Sequence, residues 1–218
     1  MKLFQKIFHF FRRLFRKKDN PKQNKPENEQ RIFHHVIFKD PFGIPNLTHE
    51  IDRIIVRRNG VFCIEDKTWK GKVYGFEDDG PWRQVFGEKH TIRSHPSPIL
   101  QNDTHKKVLE EILDKRTENY VIPVVVMTEN NSPLQNGKKV INAQDLKQFM
   151  NTHSSVNPPW NKTQFLAICS QIEKADCSTT ITRKEHVQNI RSFHSAPTEY
   201  DIIHTVNYSH AKSKKKKR

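Results

Sequence analysis

The stretch that decides the fold is residues 49–71, which read HEIDRIIVRRNGVFCIEDKTWKG. Two runs rich in Ile, Val and Phe flank the pair Asn59-Gly60, and such a pair between apolar runs is the strongest short-range signal for a β-hairpin. We expect strands over 51–57 and 61–68, with Asn59 and Gly60 as the two loop residues. In that arrangement Arg58 pairs with Val61 across the hairpin.

The register set by this loop assigns each polar side chain to one of the two faces of the hairpin. In the expected register Asp52 lies opposite Lys67, and Glu65 shares their face because strand side chains alternate with a period of two. Asp52 and Glu65 are then diagonal neighbours, with Cα atoms about 7–8 Å apart. Arg53 and Asp66 lie on the other face, where they can pair with each other across the strands.

Two carboxylates and a lysine on one strand face favour a site for a hard cation. Mg²⁺ prefers oxygen ligands and is usually held by one or two carboxylates plus substrate phosphate. A cation between Asp52 and Glu65 would polarise a scissile phosphate, and Lys67 would hold the attacking water or stabilise charge on the phosphoryl oxygens. A solvated strand face is the alternative, because E-x-K is common in a chain with 28% charged residues.

Short strands and helices alternate along the rest of the chain. Further strands are expected over 32–38, 73–76, 82–86, 120–127 and 140–141, and helices over 98–116, 142–150, 160–174 and 183–193. Ser97 before Pro98 is typical of a helix N-cap followed by its first residue. The fully apolar run 120–127 indicates an interior strand. This order predicts an α/β domain with a hairpin-rich mixed sheet.

The hairpin resembles the nuclease-related domain (NERD) family, whose pattern is similar to E-I-D, a glycine turn, and then I-E-x-K-x-W-x-G. Here the pattern is carried by Glu50-Ile51-Asp52 and by residues 64–71. The resemblance continues through 73–75 and Trp82 to the stretch 97–102, SPILQN, which is similar to the family's N-P-L-x-Q-N. It covers about residues 31–150 and implies a restriction-endonuclease-like, or PD-(D/E)XK, fold: a mixed β-sheet flanked by helices.

The resemblance also implies a metal-dependent nuclease. In that superfamily an Asp and the E-x-K acid bind Mg²⁺, for which Mn²⁺ can substitute, and the Lys assists phosphodiester hydrolysis. Carried over, the catalytic residues are Asp52, Glu65 and Lys67, with Gln101 facing the same site from the start of a helix. The metal ligands are Asp52, Glu65 and the backbone carbonyl of Asp66. The implied substrate is nucleic acid, with DNA expected ahead of RNA.

Two departures from the family pattern leave a second hypothesis open. Ser97 stands where the family more often has Asn, and the family's helix with a Gly-Glu motif has no counterpart in 19–30, which offer only Glu27 and Glu29. The alternative is a catalytically degenerate module that binds nucleic acid or acts as a membrane-peripheral interaction domain. Metal-dependent turnover separates the two.

Other residues receive structural interpretations. Trp69, Tyr74 and Trp82 could stack on nucleobases, but aromatic residues beside strands more often belong to the core. Glu50 is expected on the opposite face of its strand from Asp52, in a structural role. His105 has no neighbouring histidine at metal-ligand spacing, so we expect it in the core or at the surface.

Both ends of the chain are strongly basic. Residues 1–18 (MKLFQKIFHFFRRLFRKK) place their apolar side chains on one side of a helix and their basic ones on the other, a pattern suited to an anionic membrane surface. The segments 1–18 and 212–218 carry thirteen of the +14 net charges, which leaves +1 for the residues between. The pI of 9.7 therefore belongs to the ends and does not predict a basic domain.

The expected organisation has five parts: a basic amphipathic helix (1–18), a polar linker (19–30), the nuclease-related domain (31–150), a C-terminal helical part of the same domain (151–204) and a basic tail (205–218). We expect a cytoplasmic protein bound peripherally to the inner face of the cell membrane through residues 1–18. Three cysteines without a C-x-x-C pair, and glycines without a phosphate-binding motif, argue against disulfide, zinc-ribbon, P-loop and Rossmann proteins.

Overall fold

The computed structural model describes residues 29–76, 80–88, 90–113, 120–133 and 139–195. The predicted amphipathic helix (1–18), most of the linker and the basic tail (205–218) lie outside these residues. The strands within them are β1 (Gln30–Lys39), β2 (Thr48–Arg57), β3 (Gly60–Lys67), β4 (Lys72–Tyr74), β5 (Trp82–Phe86), β6 (Thr91–His95), β7 (Val121–Met127) and β8 (Val140–Asn142). The helices are α1 (Pro98–Ile112), α2 (Leu146–Thr152), α3 (Lys162–Ala175) and α4 (Arg183–Ser195).

The main sheet is mixed, as the sequence predicts. Its strand order is β1-β2-β3-β7-β8, in which β1, β2 and β3 pair antiparallel and β7 pairs parallel with both β3 and β8. Strands β4, β5 and β6 form a separate antiparallel sheet. This small sheet and α1 together make the crossover from β3 to the parallel strand β7. The first turn of α1 therefore lies near the end of β3, where the ionisable residues of the hairpin are found.

The loop of the hairpin differs from the predicted one. It consists of Arg58 and Asn59, and Gly60 pairs with Arg57 as part of β3. The predicted loop, Asn59-Gly60, is therefore wrong by one residue, and every residue of β3 faces a residue of β2 two positions earlier than expected. Because strand side chains alternate with a period of two, this shift leaves each side chain on its predicted face.

Contacts from a distant segment explain the altered loop. The Asn59 side-chain amide donates hydrogen bonds to the carbonyl oxygens of Met150 (3.0 Å) and His153 (2.8 Å). Gly60 has a φ of +148°, and a Cβ at this position would overlap the Ser155 hydroxyl. The loop conformation is thus selected by packing against 150–155, which overrides the local preference of an Asn-Gly pair.

Some of the other helix and strand boundaries agree with the prediction, and others differ from it by a few residues. Helix α1 begins at Pro98 as predicted, with the Ser97 hydroxyl accepting from Leu100 N–H at 3.4 Å. Helix α3 begins after Asn161, whose side chain forms a reciprocal capping box with Gln164. The helix predicted over 142–150 is a 3₁₀ turn followed by α2, and the strand predicted over 73–76 is β4. Strand β6 was missed because its five residues are mostly polar and exposed and show no alternation.

Helices cover both faces of the main sheet. On one face α1 and α3 pack through Val108, Leu109, Phe165 and Ile172 against the hairpin, and on the other face α2 packs through Phe149. The α/β architecture predicted from the sequence is confirmed. Within the described part of the chain, no helix is both long enough and apolar enough to cross a bilayer.

Candidate active site

The four residues predicted to be catalytic line a single cleft. Asp52 comes from β2, Glu65 and Lys67 from the end of β3, and Gln101 from the first turn of α1. The cleft has a volume of about 880 Å³. It opens where the ladder between β2 and β3 ends, next to the first turn of α1.

A buried pair of hydrogen bonds fixes α1 against β3. Asn102 donates through its side-chain amide to the Cys63 carbonyl oxygen at 3.1 Å, and the Cys63 thiol donates back to Asn102 Oδ1 at 3.3 Å. Both side chains are almost fully buried. Because Asn102 holds the helix at this point, Gln101 and His105, one turn apart on α1, are placed beside the ends of β2 and β3.

Glu65 is the most buried ionisable group of the cleft, with 2% of its surface exposed. Its Oε1 forms a short ion pair with Lys67 Nζ, and its Oε2 lies 3.2 Å from His105 Nδ1. Burial by itself raises the pKa of Glu65, but the contacts with His105 and Lys67 together outweigh it and hold that pKa below the usual value. Glu65 is therefore an anion at neutral pH.

The environment of Asp52 has the opposite effect. The observed register, continued one step beyond the pair Arg53–Ile64, sets Asp52 directly opposite Glu65 and not diagonal to it as predicted. Burial and the Glu65 charge raise the pKa of Asp52, against a 3.0 Å hydrogen bond from the Asp66 backbone N–H. Two carboxylates that repel each other in this way are stabilised by a cation bound between them.

The donor set fits a hard divalent cation. Carboxylate oxygens of Asp52 and Glu65 face the same cleft, and the buried Oε2 of Glu65 has His105 Nδ1 as a polar neighbour at 3.2 Å. The Asp66 N–H points toward Asp52, and the C=O of a strand residue points to the same side as its N–H. The Asp66 carbonyl is thereby directed to the Asp52 side of β3. Its carboxylate instead pairs with Arg53 at 2.7 Å, which confirms the predicted cross-strand pair.

Lys67 is held by two partners at the mouth of the cleft. Its Nζ donates to Glu65 and, at 3.0 Å, to Gln101 Oε1. The same ammonium lies 5.8 Å from the centre of the Trp69 ring. Gln101 thus positions Lys67, while the first turn of α1 positions Gln101.

The predicted face of Glu50 is wrong. Residues 50 and 52 are two apart, so alternation places Glu50 on the same face as Asp52, and the structure shows both lining the cleft. One ligand atom each from His35, Glu50 and Asp52 lie within 4.8 Å of one another. Glu50 also has cationic neighbours, because Arg183 Nε lies 3.3 Å away.

Three functional-site neighbours escaped the sequence analysis. His105 was expected only in the core or at the surface, although its spacing of four from Gln101 places both on one helix face. Arg183 and His186 reach the cleft from α4. Nothing in their local sequence indicates this, because α4 is brought to β2 only by the tertiary fold.

The three aromatic residues considered for base stacking lie in different surroundings. Trp82 is completely buried in the core between the two sheets, and Tyr74 is 48% exposed on β4. Trp69 is half-buried and lines the cleft. The core interpretation therefore holds for Trp82 and fails for Tyr74.

Comparison with known proteins identifies the family. The sequence pattern of the nuclease-related domain matches residues 11–128, more than half of the chain and a range that contains Asp52, Glu65, Lys67 and Gln101. The chain belongs to the NERD family. An uncharacterized protein of Bacillus anthracis is 30% identical to this NERD protein over 86 residues, which are 39% of this chain and 38% of that relative. The chain thus matches well under half of the relative's length. No solved structure matches it significantly.

Proposed function

We propose that this NERD protein is a metal-dependent nuclease that hydrolyses phosphodiester bonds in nucleic acid, DNA ahead of RNA. The observation that carries the proposal is the cluster of Asp52, Glu65 and Lys67 at the end of the hairpin in a chain of this family.

The residues of the cleft divide the chemical work. Asp52, Glu65 and the Asp66 carbonyl would hold Mg²⁺ or Mn²⁺. When bound, the cation supplies polarisation of the phosphoryl oxygens and a more acidic water. Lys67, oriented by Gln101, donates hydrogen bonds to the attacking water or to the phosphoryl oxygens as their charge grows. At the other side of the cleft the guanidinium of Arg183, whose side chain is 69% exposed, can contact a flanking phosphate.

The test is cleavage of end-labelled single- and double-stranded DNA and RNA in Mg²⁺ or in EDTA. Wild type is compared with Glu65→Gln and with Glu129→Gln, a matched control on an exposed acid outside the cleft. We expect cleavage that requires Mg²⁺, vanishes in Glu65→Gln and persists in Glu129→Gln. Absence of cleavage by folded wild type would support the binding module, and equal activity in all three proteins would place the site elsewhere.

The second part of the proposal concerns location. Residues 1–18 would bind an anionic membrane as an amphipathic helix, with the tail 205–218 adding electrostatic attraction. We expect the full chain to co-sediment with phosphatidylcholine vesicles only when they contain phosphatidylserine. Replacing Phe4 and Phe8 by Ser leaves the matched range intact and should abolish sedimentation. Unchanged sedimentation of that variant would contradict the anchor.

A further inference from the structure

Beside its ionised groups, the cleft also has apolar lining residues near Lys67. Trp69 lies two residues beyond Lys67 and lines the cleft together with Pro96 and Leu100. Leu100 is 55% exposed although it is in the first turn of α1, directly before Gln101. Apolar residues beside charged groups match the two chemical parts of a nucleotide, a flat base and an anionic phosphate.

The indole ring of Trp69 is held in a fixed position. It stacks on the imidazole of His95, with ring centres 4.3 Å apart and planes inclined by 23°. The imidazole is fixed in turn by a 3.0 Å hydrogen bond between its Nε2 and Gln84 Oε1. His95 therefore covers one face of the indole, which also packs against the core cluster that contains Val73 and Trp82. The half-buried ring still lines the cleft, with Lys67 Nζ over it.

The backbone under Trp69 is fixed as well. The side-chain amide of Asn131 donates to the carbonyl oxygens of Trp69 (2.7 Å) and Gly71 (2.6 Å). Gln84 donates to the Lys70 carbonyl oxygen at 2.8 Å. Two amide side chains thus tie down three consecutive residues, so little conformational entropy remains to be lost when a ligand stacks on the ring.

We propose that Trp69 and Leu100 form a stacking site for one unpaired nucleobase beside the scissile phosphate. The proposal rests on the proposed function, because it assumes that the cleft binds nucleic acid. A base at this site is next to Lys67 Nζ, which lies 5.8 Å from the Trp69 ring centre. A base cannot occupy this site while it is stacked within a duplex. The substrate class is therefore single strands, flaps or frayed ends, with little base preference because every base offers a π-face.

The first experiment needs no protein variant. Binding of fluorescein-labelled 12-mer oligonucleotides, each with one abasic position, is measured in EDTA at low salt, where cleavage is prevented. We expect one position at which loss of the base weakens binding by about fivefold to 100-fold, the range found for stacked bases. Uniform affinity across all positions would overturn the proposal.

The second experiment assigns the effect to the ring. Trp69→Leu should lose the sensitivity to that one abasic position, whereas Trp69→Phe should keep part of it and Tyr74→Leu, a matched exposed aromatic outside the cleft, should keep all of it. Thermal melting verifies that each variant is folded. An unchanged abasic penalty in folded Trp69→Leu would assign the stacking to another residue and contradict the proposal.

Cleavage separates this inference from the proposed function. Wild type should cut a single strand faster than the matched duplex, and Trp69→Leu should reduce that ratio while its activity remains Mg²⁺-dependent. If wild type cleaves no substrate but one abasic position still weakens its binding, the nuclease proposal is refuted and the stacking site stands. Cleavage of duplex and single strand at equal rates by wild type would refute the stacking site alone.

Discussion

The two ends of the β2–β3 hairpin differ in how their polar groups are satisfied. At the loop end, the Asn59 side-chain N–H groups donate to the carbonyl oxygens of Met150 and His153, and the Asn59 carbonyl oxygen accepts from the Ser155 N–H. At the open end, the carboxylates of Glu50, Asp52 and Glu65 line one cleft together with Lys67. The polar groups at the loop end thus stabilise the fold, whereas the carboxylates at the open end are placed to bind a cation. Changes at the two ends should therefore be separable.

The largest expected effect is on catalysis, from changes to the two carboxylates at the open end. Asp52→Asn and Glu65→Gln should each lower metal-dependent cleavage by at least about 100-fold, because each removes a charge that would hold the cation. The two variants should change the free energy of unfolding in opposite directions. The raised pKa of Asp52 means that its charge destabilises the fold at neutral pH, whereas the lowered pKa of Glu65 means that its charge stabilises the fold.

Differential scanning calorimetry at pH 7 checks this contrast. The melting temperature should rise for Asp52→Asn and fall for Glu65→Gln, relative to wild type. A shift of the same sign in both variants would mean that the two carboxylates do not oppose each other in the way their environments indicate.

At the loop end the expected effect is on stability alone. Gly60→Ala should destabilise the protein by about 1–3 kcal/mol, because its φ of +148° is unfavourable for alanine and the new methyl group overlaps Ser155. Urea unfolding measures the loss. The rate of cleavage per folded molecule should remain that of wild type, and a catalytic defect at a temperature where the variant is folded would show that the ends are coupled.

A smaller effect is expected at His105, which acts on the reaction only through Glu65. His105→Leu should lower cleavage by about tenfold to 100-fold, as is typical when a group that orients a metal ligand is lost. His105→Asn should restore part of the activity, because its side-chain nitrogen occupies nearly the position of Nδ1. Steady-state rates over a Mg²⁺ titration measure both. Equal defects in Leu and Asn variants would reduce His105 to a packing role.

The smallest expected effect is the pH dependence of the Glu65 contribution to stability. The folded-state pKa of Glu65 is below the usual value of 4.5. Its contribution is therefore complete above about pH 5 and is lost as the pH falls through the folded pKa. The difference in unfolding free energy between wild type and Glu65→Gln should be constant from pH 5 to 7 and shrink below pH 4.5. A difference that grows on acidification would have the wrong sign.

Alternation explains why the site was predictable although the register was not. The observed loop is one residue earlier than the predicted one, which shifts the strand pairing by two residues. Because side chains alternate with a period of two, each stays on its predicted face. Asp52, Glu65 and Lys67 are therefore correctly predicted on one face although their cross-strand partners are not. Glu50 obeys the same rule, because it is two residues from Asp52 and lines the same cleft.

What the sequence did not reveal depends on contacts between distant segments. The conformation at Asn59 is set by carbonyl groups of 150–155, and Arg183 reaches the cleft only because α4 packs near β2. The position of His105 is partly predictable from the sequence. Its spacing from Gln101 is visible in the sequence, but its contact with Glu65 requires the crossover that brings α1 over β3.

The reciprocal hydrogen bonds between Cys63 and Asn102 also bear on which metals the cleft can accept. Cys63 is two residues from Glu65 on the same face of β3, but it is fully buried and does not line the cleft. Burial and the charge of Glu65 raise the pKa of the Cys63 thiol far above neutrality, and its proton is donated to Asn102. The thiol therefore faces the core, and the cleft presents carboxylate oxygens and imidazole nitrogens instead. Because no sulfur lines the cleft among the described residues, its ligands suit hard cations better than soft ions such as Cd²⁺.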